Sequence, residues 1–131
     1  MNPFLLTFLY YIAAIAIVVV GLLVFELMTR KYKDWDEIQS KNTAVALSIA
    51  GKIIGICIIL AFSIFHNDTI LDTVVWGFFG LALQLLAYLL FEVLTPRFSV
   101  EAELKNNNTA VGIISLAVSI GLAFVIGASI T

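Results

Sequence analysis

The sequence predicts an all-α integral membrane protein whose four transmembrane helices form a parallel tandem repeat of two-helix units. Three observations predict it. Four stretches of 23 to 25 residues, at about 4–28, 43–65, 70–94 and 109–131, are nearly free of charge. The chain is 62% hydrophobic and 12% charged, with a mean hydropathy of +1.09, whereas a soluble domain carries about 25% charge. The sequence also aligns with itself, without a gap, at a shift of 66 residues.

Each apolar stretch exceeds the roughly 20 residues that cross a hydrocarbon core. Each should be a helix, because lipid offers no water to backbone groups. The first lacks a basic start and is longer than a cleaved signal's apolar run. It therefore reads as a span, although Ala14-Ile15-Ala16 is a small-residue site of the kind a signal peptidase favours. The second contains Gly51-x-x-x-Gly55, aligned with Ala117 and Gly121 in the fourth. Such spacing suits close helix packing in lipid. Ser115, Ser119, Ala123 and Gly127 add a four-residue period. Spans two and four are expected to form the tight centre, with one and three outside.

The repeat is carried by polar positions. Phe25, Glu26 and Thr29 fall on Phe91, Glu92 and Thr95, and Glu37 falls on Glu103. Asn42-Thr43-Ala44-Val45 falls on Asn108-Thr109-Ala110-Val111. The reading is a single membrane domain, 1–131, built of repeats 1–65 and 66–131. Two spans per unit give both copies the same orientation, which would set Glu26 and Glu92 at one depth. Asn42 and Asn108 are placed as N-caps; the functional reading, compatible with capping, is a polar vestibule lined by these Asn-Thr pairs. Thr69 to Asp72 has capping-box-like spacing.

Six of the seven basic residues lie in two loops, Arg30, Lys31, Lys33 and Lys41 in one, Arg97 and Lys105 in the other. The positive-inside rule places loops 30–42 and 96–108 in the cytoplasm and both termini outside. Topology thus explains the basic residues, and no nucleic-acid partner is expected. The first loop could lay Trp35 and Ile38 on the interface as a short amphipathic turn. His66 reads as a solvent-facing loop residue.

Lys52 is the sharpest single residue. It lies about 16 Å along the helix from Lys41, and a central lysine costs about 2.5–3.5 kcal/mol to insert. Helical side chains lean toward the helix N-terminus, so Lys52 should lean toward the loops while Glu26 and Glu92 lean away from them. Lys52 is therefore expected to pair with Glu26 or Glu92, directly or through water. A structural ion pair, snorkelling of each charge to the interface and use in a proton or cation path are the three readings of this trio. Gln84 is expected to hydrogen-bond between helices. Cys57 stands alone, so no internal disulfide and no thiolate metal cluster can form from it. The sequence offers no nucleophile with a base, no metal-ligand cluster and no phosphate loop. No enzyme activity, cofactor or metal is expected.

Paired "FE..T" segments followed by "NTA" helix starts, in four spans, resemble the bacterial membrane family called domain of unknown function 350. The resemblance covers essentially the whole chain. It implies a multi-pass protein of the bacterial plasma membrane with duplicated two-helix units, and it supplies no reaction. Carried onto this sequence, its motif positions are Glu26, Asn42, Thr43, Ala44, Glu92, Asn108, Thr109 and Ala110. Two functions fit. One is a non-enzymatic membrane component acting through protein partners, in a membrane-stress or envelope assembly. The other is a small oligomeric channel or transporter moving protons or monovalent cations past Glu26 and Glu92. A homo-oligomer or other membrane proteins, and the lipid bilayer, are the partners expected.

Overall fold

A computed structural model describes residues 2–29, 33–94 and 99–131. The described residues form six helices: α1 (Pro3–Met28), α2 (Asp34–Gln39), α3 (Thr43–His66), α4 (Ile70–Val93), α5 (Val100–Lys105) and α6 (Thr109–Ala128). Four of them, α1, α3, α4 and α6, are long and apolar enough to cross a membrane.

Short polar side chains start the helices. Asn2 accepts from the Phe4 N–H ahead of Pro3 at the first helical position, where a missing N–H costs nothing. Asn42 and Asn108 accept from the Val45 and Val111 N–H groups, and Thr69 accepts from Asp72 N–H.

The short helices α2 and α5 end alike. Lys41 and Asn107 take left-handed backbone, at φ 63° and φ 60°. The Lys41 N–H reaches Ile38 O and the Asn42 N–H reaches Glu37 O; the Asn107 and Asn108 N–H groups reach Leu104 O and Glu103 O. Both are Schellman closures. In each, the residue that completes the closure is also the N-cap of the next long helix, so the chain turns without a spare residue.

Helix α3 is the most enclosed span, packed by α1, α2, α4, α5 and α6. Its closest neighbour is α6. A Cβ on Gly51 would come 3.0 Å from the Leu116 Cα and one on Gly55 would come 3.1 Å from the Ser119 carbonyl oxygen. One on Gly112 would come 2.9 Å from the Ala44 Cα and carbonyl oxygen. The expected tight centre is present, but the small residues on α6 that make it are Gly112, Ser115, Ser119, Ala123 and Gly127. Ala117 and Gly121 are exposed, and nothing lies within 4 Å of a Cβ built on Gly121. Their expected packing role is corrected. Alignment by repeat predicts that the faces of α3 and α6 are used alike; α3 is surrounded, whereas α6 keeps one side open.

The interior divides by height. Ala44, Val45, Ile49, Val100 and Leu104 form the core beside α2 and α5. Ile17, Phe25, Ile56, Leu60 and Leu81 fill the middle, and Ile59, Ala123 and Ile130 fill the far end. The first loop differs from the expected interfacial turn. Ile38 packs inward on the Ala44 cluster while Trp35 stays 57% exposed. His66 closes α3 rather than standing in the loop, exposed and stacked on Phe62.

Candidate functional site: a buried lysine beneath two short helices

Lys52 is 2% exposed. Its ammonium sits 5.1 Å from the centre of the Phe25 ring and 5.2 Å from that of Tyr88, a two-ring cation–π arrangement. The rings meet edge to face at 5.8 Å. Its Nζ finds no hydrogen-bond partner among the described residues.

The acids that answer this charge come from the short helices. Asp34 on α2 and Glu101 on α5 are both buried, and theirs are the carboxylate charges that act most on Lys52. The Tyr88 hydroxyl donates to Glu101 Oε1 at 2.7 Å, so one side chain both faces the ammonium and orders a carboxylate. Burial holds the Asp34 carboxyl above its ordinary range; the Lys52 charge opposes this shift and the Glu26 charge adds to it.

The expected direct pairing of Lys52 with Glu26 or Glu92 is thereby corrected. Glu92 is half-buried and turned to the start of α5, its Oε1 accepting from Ser99 Oγ and from the Val100 N–H, both at 3.2 Å. Glu26 is half-buried in the wall of a recess that also includes Asp34 and Trp35. Sequence reasoning missed Asp34 and Glu101 because it treated both loops as connectors. The one trace is faint: Glu101 and Leu104 are three residues apart and Asp34 and Ile38 four, which puts each acid on the helical face of one apolar residue.

The other expected residues hold the frame. Gln84, 2% exposed, donates from Nε2 to the Ser119 carbonyl at 2.9 Å, the interhelical bond expected of it. Gly55 makes room, since a Cβ there would stand 2.6 Å from that nitrogen. Ser115 donates to Ser48 at 3.3 Å across the same helix pair. Asn42 is buried, and besides capping α3 it donates to the Leu104 and Lys105 carbonyls at 2.9 and 3.0 Å. It thus ties the end of α5 to the start of α3. Asn107 accepts from the Ala44 N–H at 3.0 Å, and Asn108 donates to Glu103 at 2.9 Å. Thr43 and Thr109 are exposed. These amides hold helix ends, which is the capping role expected of them.

Chemically the cluster can hold charge and exchange protons locally among a lysine, a tyrosine and carboxyls. No group of His, Cys, Asp and Glu suited to a metal ion occurs among the described residues. Toward the far end the described interior past Gln84 holds no buried charge: Ile56, Leu81, Leu60 and Ile59 line it, and buried Ser63 donates to the Thr73 carbonyl at 2.8 Å.

The chain is 46% identical over 121 residues to a UPF0719 transmembrane protein, YshE, of Bacillus subtilis (strain 168), covering 92% of this chain and 90% of that one. It is 30% identical over 103 residues to a UPF0719 inner membrane protein, YjfL, of Escherichia coli (strain K12), covering 79% and 76%. No solved structure matches. The family described as Domain of Unknown Function (DUF350) matches residues 1–130. Four membrane-length helices and these relatives agree, and the chain is a membrane protein of the DUF350 family.

Proposed function

We propose that this protein is a non-enzymatic component of the bacterial plasma membrane that acts through protein partners, in an envelope or membrane-stress assembly. In this reading α2 and α5 face the cytoplasm and both termini lie outside, as the basic loop residues favour. The observation that carries it is the closed interior: among the described residues no buried charge lies beyond Gln84, and the buried polar pair there, Ser63 and Thr73, is bonded to itself between α3 and α4 amid apolar side chains. A chain closed in this way has little to conduct, and it has almost no mass outside its spans with which to do chemistry.

The open side of α6 supports association. Ala117 and Gly121 are exposed there, and small residues let another helix approach closely in lipid. The proposed duplication is supported by α2 and α5, whose bounds, Asp34–Gln39 and Val100–Lys105, are offset by 66 positions, as are Lys41 and Asn107.

Photo-crosslinking in native membranes tests the proposal. A crosslinker at position 117 or 121 should give discrete protein adducts, while one at Leu27, 83% exposed on α1, should give lipid adducts alone. Lipid adducts alone at all three positions would refute it.

The runner-up, an oligomeric proton or monovalent-cation path, is favoured by the buried Lys52 ammonium without a hydrogen-bond partner among the described residues. Liposome flux separates the two. The partner reading expects flux at the empty-vesicle level across several salts and pH values. Flux that disappears in Lys52→Met would instead establish conduction.

A further inference from the structure

Between α1, α2 and α3, level with the last turn of α1, lies a recess of about 170 Å³. A water molecule's share of liquid volume is about 30 Å³, so the recess admits a small headgroup rather than one ion. Its walls are of two kinds. Leu22, Leu23, Ile49 and Trp35 make it apolar, while Glu26 and Asp34 supply two carboxyls. Leu23 and Trp35 are both more than half exposed, so the recess opens to the surroundings of the bundle beside an indole. Indoles favour the headgroup level of a bilayer.

Asp34 is 4% exposed, yet its Oδ1 has no hydrogen-bond partner among the described residues. A buried carboxylate oxygen left unpaired is costly. The second half of the chain supplies an internal control. At a shift of 66, Val100 stands where Asp34 stands, and Glu92 is occupied by Ser99 and the Val100 N–H. Among the described residues, the first half sets two acids into an apolar opening that the second half does not repeat.

We propose that this recess binds the ammonium group of an amphiphile, an ethanolamine-type lipid headgroup, with Asp34 and Glu26 accepting its N–H bonds. The acyl chain would lie along Leu22, Leu23 and Ile49. A primary ammonium has three donors to share between the two carboxyls. A soluble organic amine offers the same ammonium without the chain, and the apolar walls favour the lipid.

The test uses the full chain in nanodiscs, with Trp76→Phe leaving Trp35 as the one tryptophan. Lipids brominated on the upper acyl chain are compared at equal mole fraction, one with an ethanolamine and one with a glycerol headgroup. Quenching of Trp35 should report about fivefold higher relative affinity for the ethanolamine lipid, the scale of one partly exposed charge pair. Asp34→Asn should remove most of that preference. Glu26→Gln, at a half-buried position that tolerates change, should reduce it and serves if Asp34→Asn does not fold. Equal quenching by both headgroups in the wild-type side chains, or a preference that neither substitution alters, would overturn the proposal. Spermidine titrated from the aqueous phase distinguishes the sources. Relief of quenching means that soluble amines share the ammonium site, and persistence confines it to lipid.

Discussion

Asp34 and Lys52 show how much one side chain's surroundings decide. Both are almost fully buried, and neither charge is answered by a close ion pair among the described residues. Lys52 rests on two aromatic faces instead, which supply part of what water would have given. For Asp34 the direction of the shift fixes a pH dependence. Its folded carboxyl titrates above the ordinary value of 3.8, mainly through burial and further through Glu26, with Lys52 opposing. Between that value and the raised one the native state holds more protons than the unfolded chain. The stability associated with Asp34 therefore falls as pH rises through the folded pKa and is recovered as pH falls toward 3.8. Asp34→Asn removes the titration. The melting temperature of wild type minus that of Asp34→Asn should accordingly increase as pH is lowered from 8 toward 3.8; a difference that is flat or decreases over that whole range would show that burial does not govern this carboxyl.

At the scale of elements, the contact between α3 and α6 sets the fold, and it distinguishes glycines that look alike in sequence. Gly112 meets the backbone of Ala44, which cannot move aside, and overpacking of that kind costs about 1–3 kcal/mol. Gly112→Ala should lower stability by that amount in a detergent unfolding assay, whereas Gly121→Ala, in open space, should be neutral or slightly stabilising through helix propensity. The reverse order would mean that the two helices pack on the other face of α6. The same contact explains what the sequence could and could not tell. The four spans and their Asn and Thr caps were legible, because charge-free length and capping chemistry act locally. The face of α6 that packs was not, because repeat alignment transfers a position and says nothing of how many neighbours surround it. Asp34 and Glu101 escaped notice for a related reason. Two six-residue helices carry too few residues for periodicity to stand out, and only their docking against α3 and α6 turns those acids inward.

Across the whole molecule, the buried charges among the described residues lie at one end of the bundle. Schellman closures, paired Asn caps and the Asn42 bonds to α5 gather both short helices at the same end. Labelling from the two sides of a sealed vesicle checks this directly, since cysteines introduced at positions 35 and 101 should react from the same side in a Cys57→Ser background. Labelling from opposite sides would contradict both the fold and the proposed parallel duplication. That end concentrates the lysine and the inward-turned carboxyls, while the described interior of the far end holds no buried charge.

The most direct measurement of this account is a set of double-mutant cycles on unfolding, pairing Lys52→Met in turn with Asp34→Asn, Glu101→Gln, Glu26→Gln and Glu92→Gln. Groups that share one buried charge cluster couple by about 0.5–3 kcal/mol, and independent groups add to within about 0.3–0.5 kcal/mol. Coupling in the first range for Asp34 and Glu101, and smaller values for Glu26 and Glu92, is the predicted result. Strong coupling to Glu26 or Glu92 with near-additivity for Asp34 and Glu101 would contradict the assignment of the lysine to the two short helices.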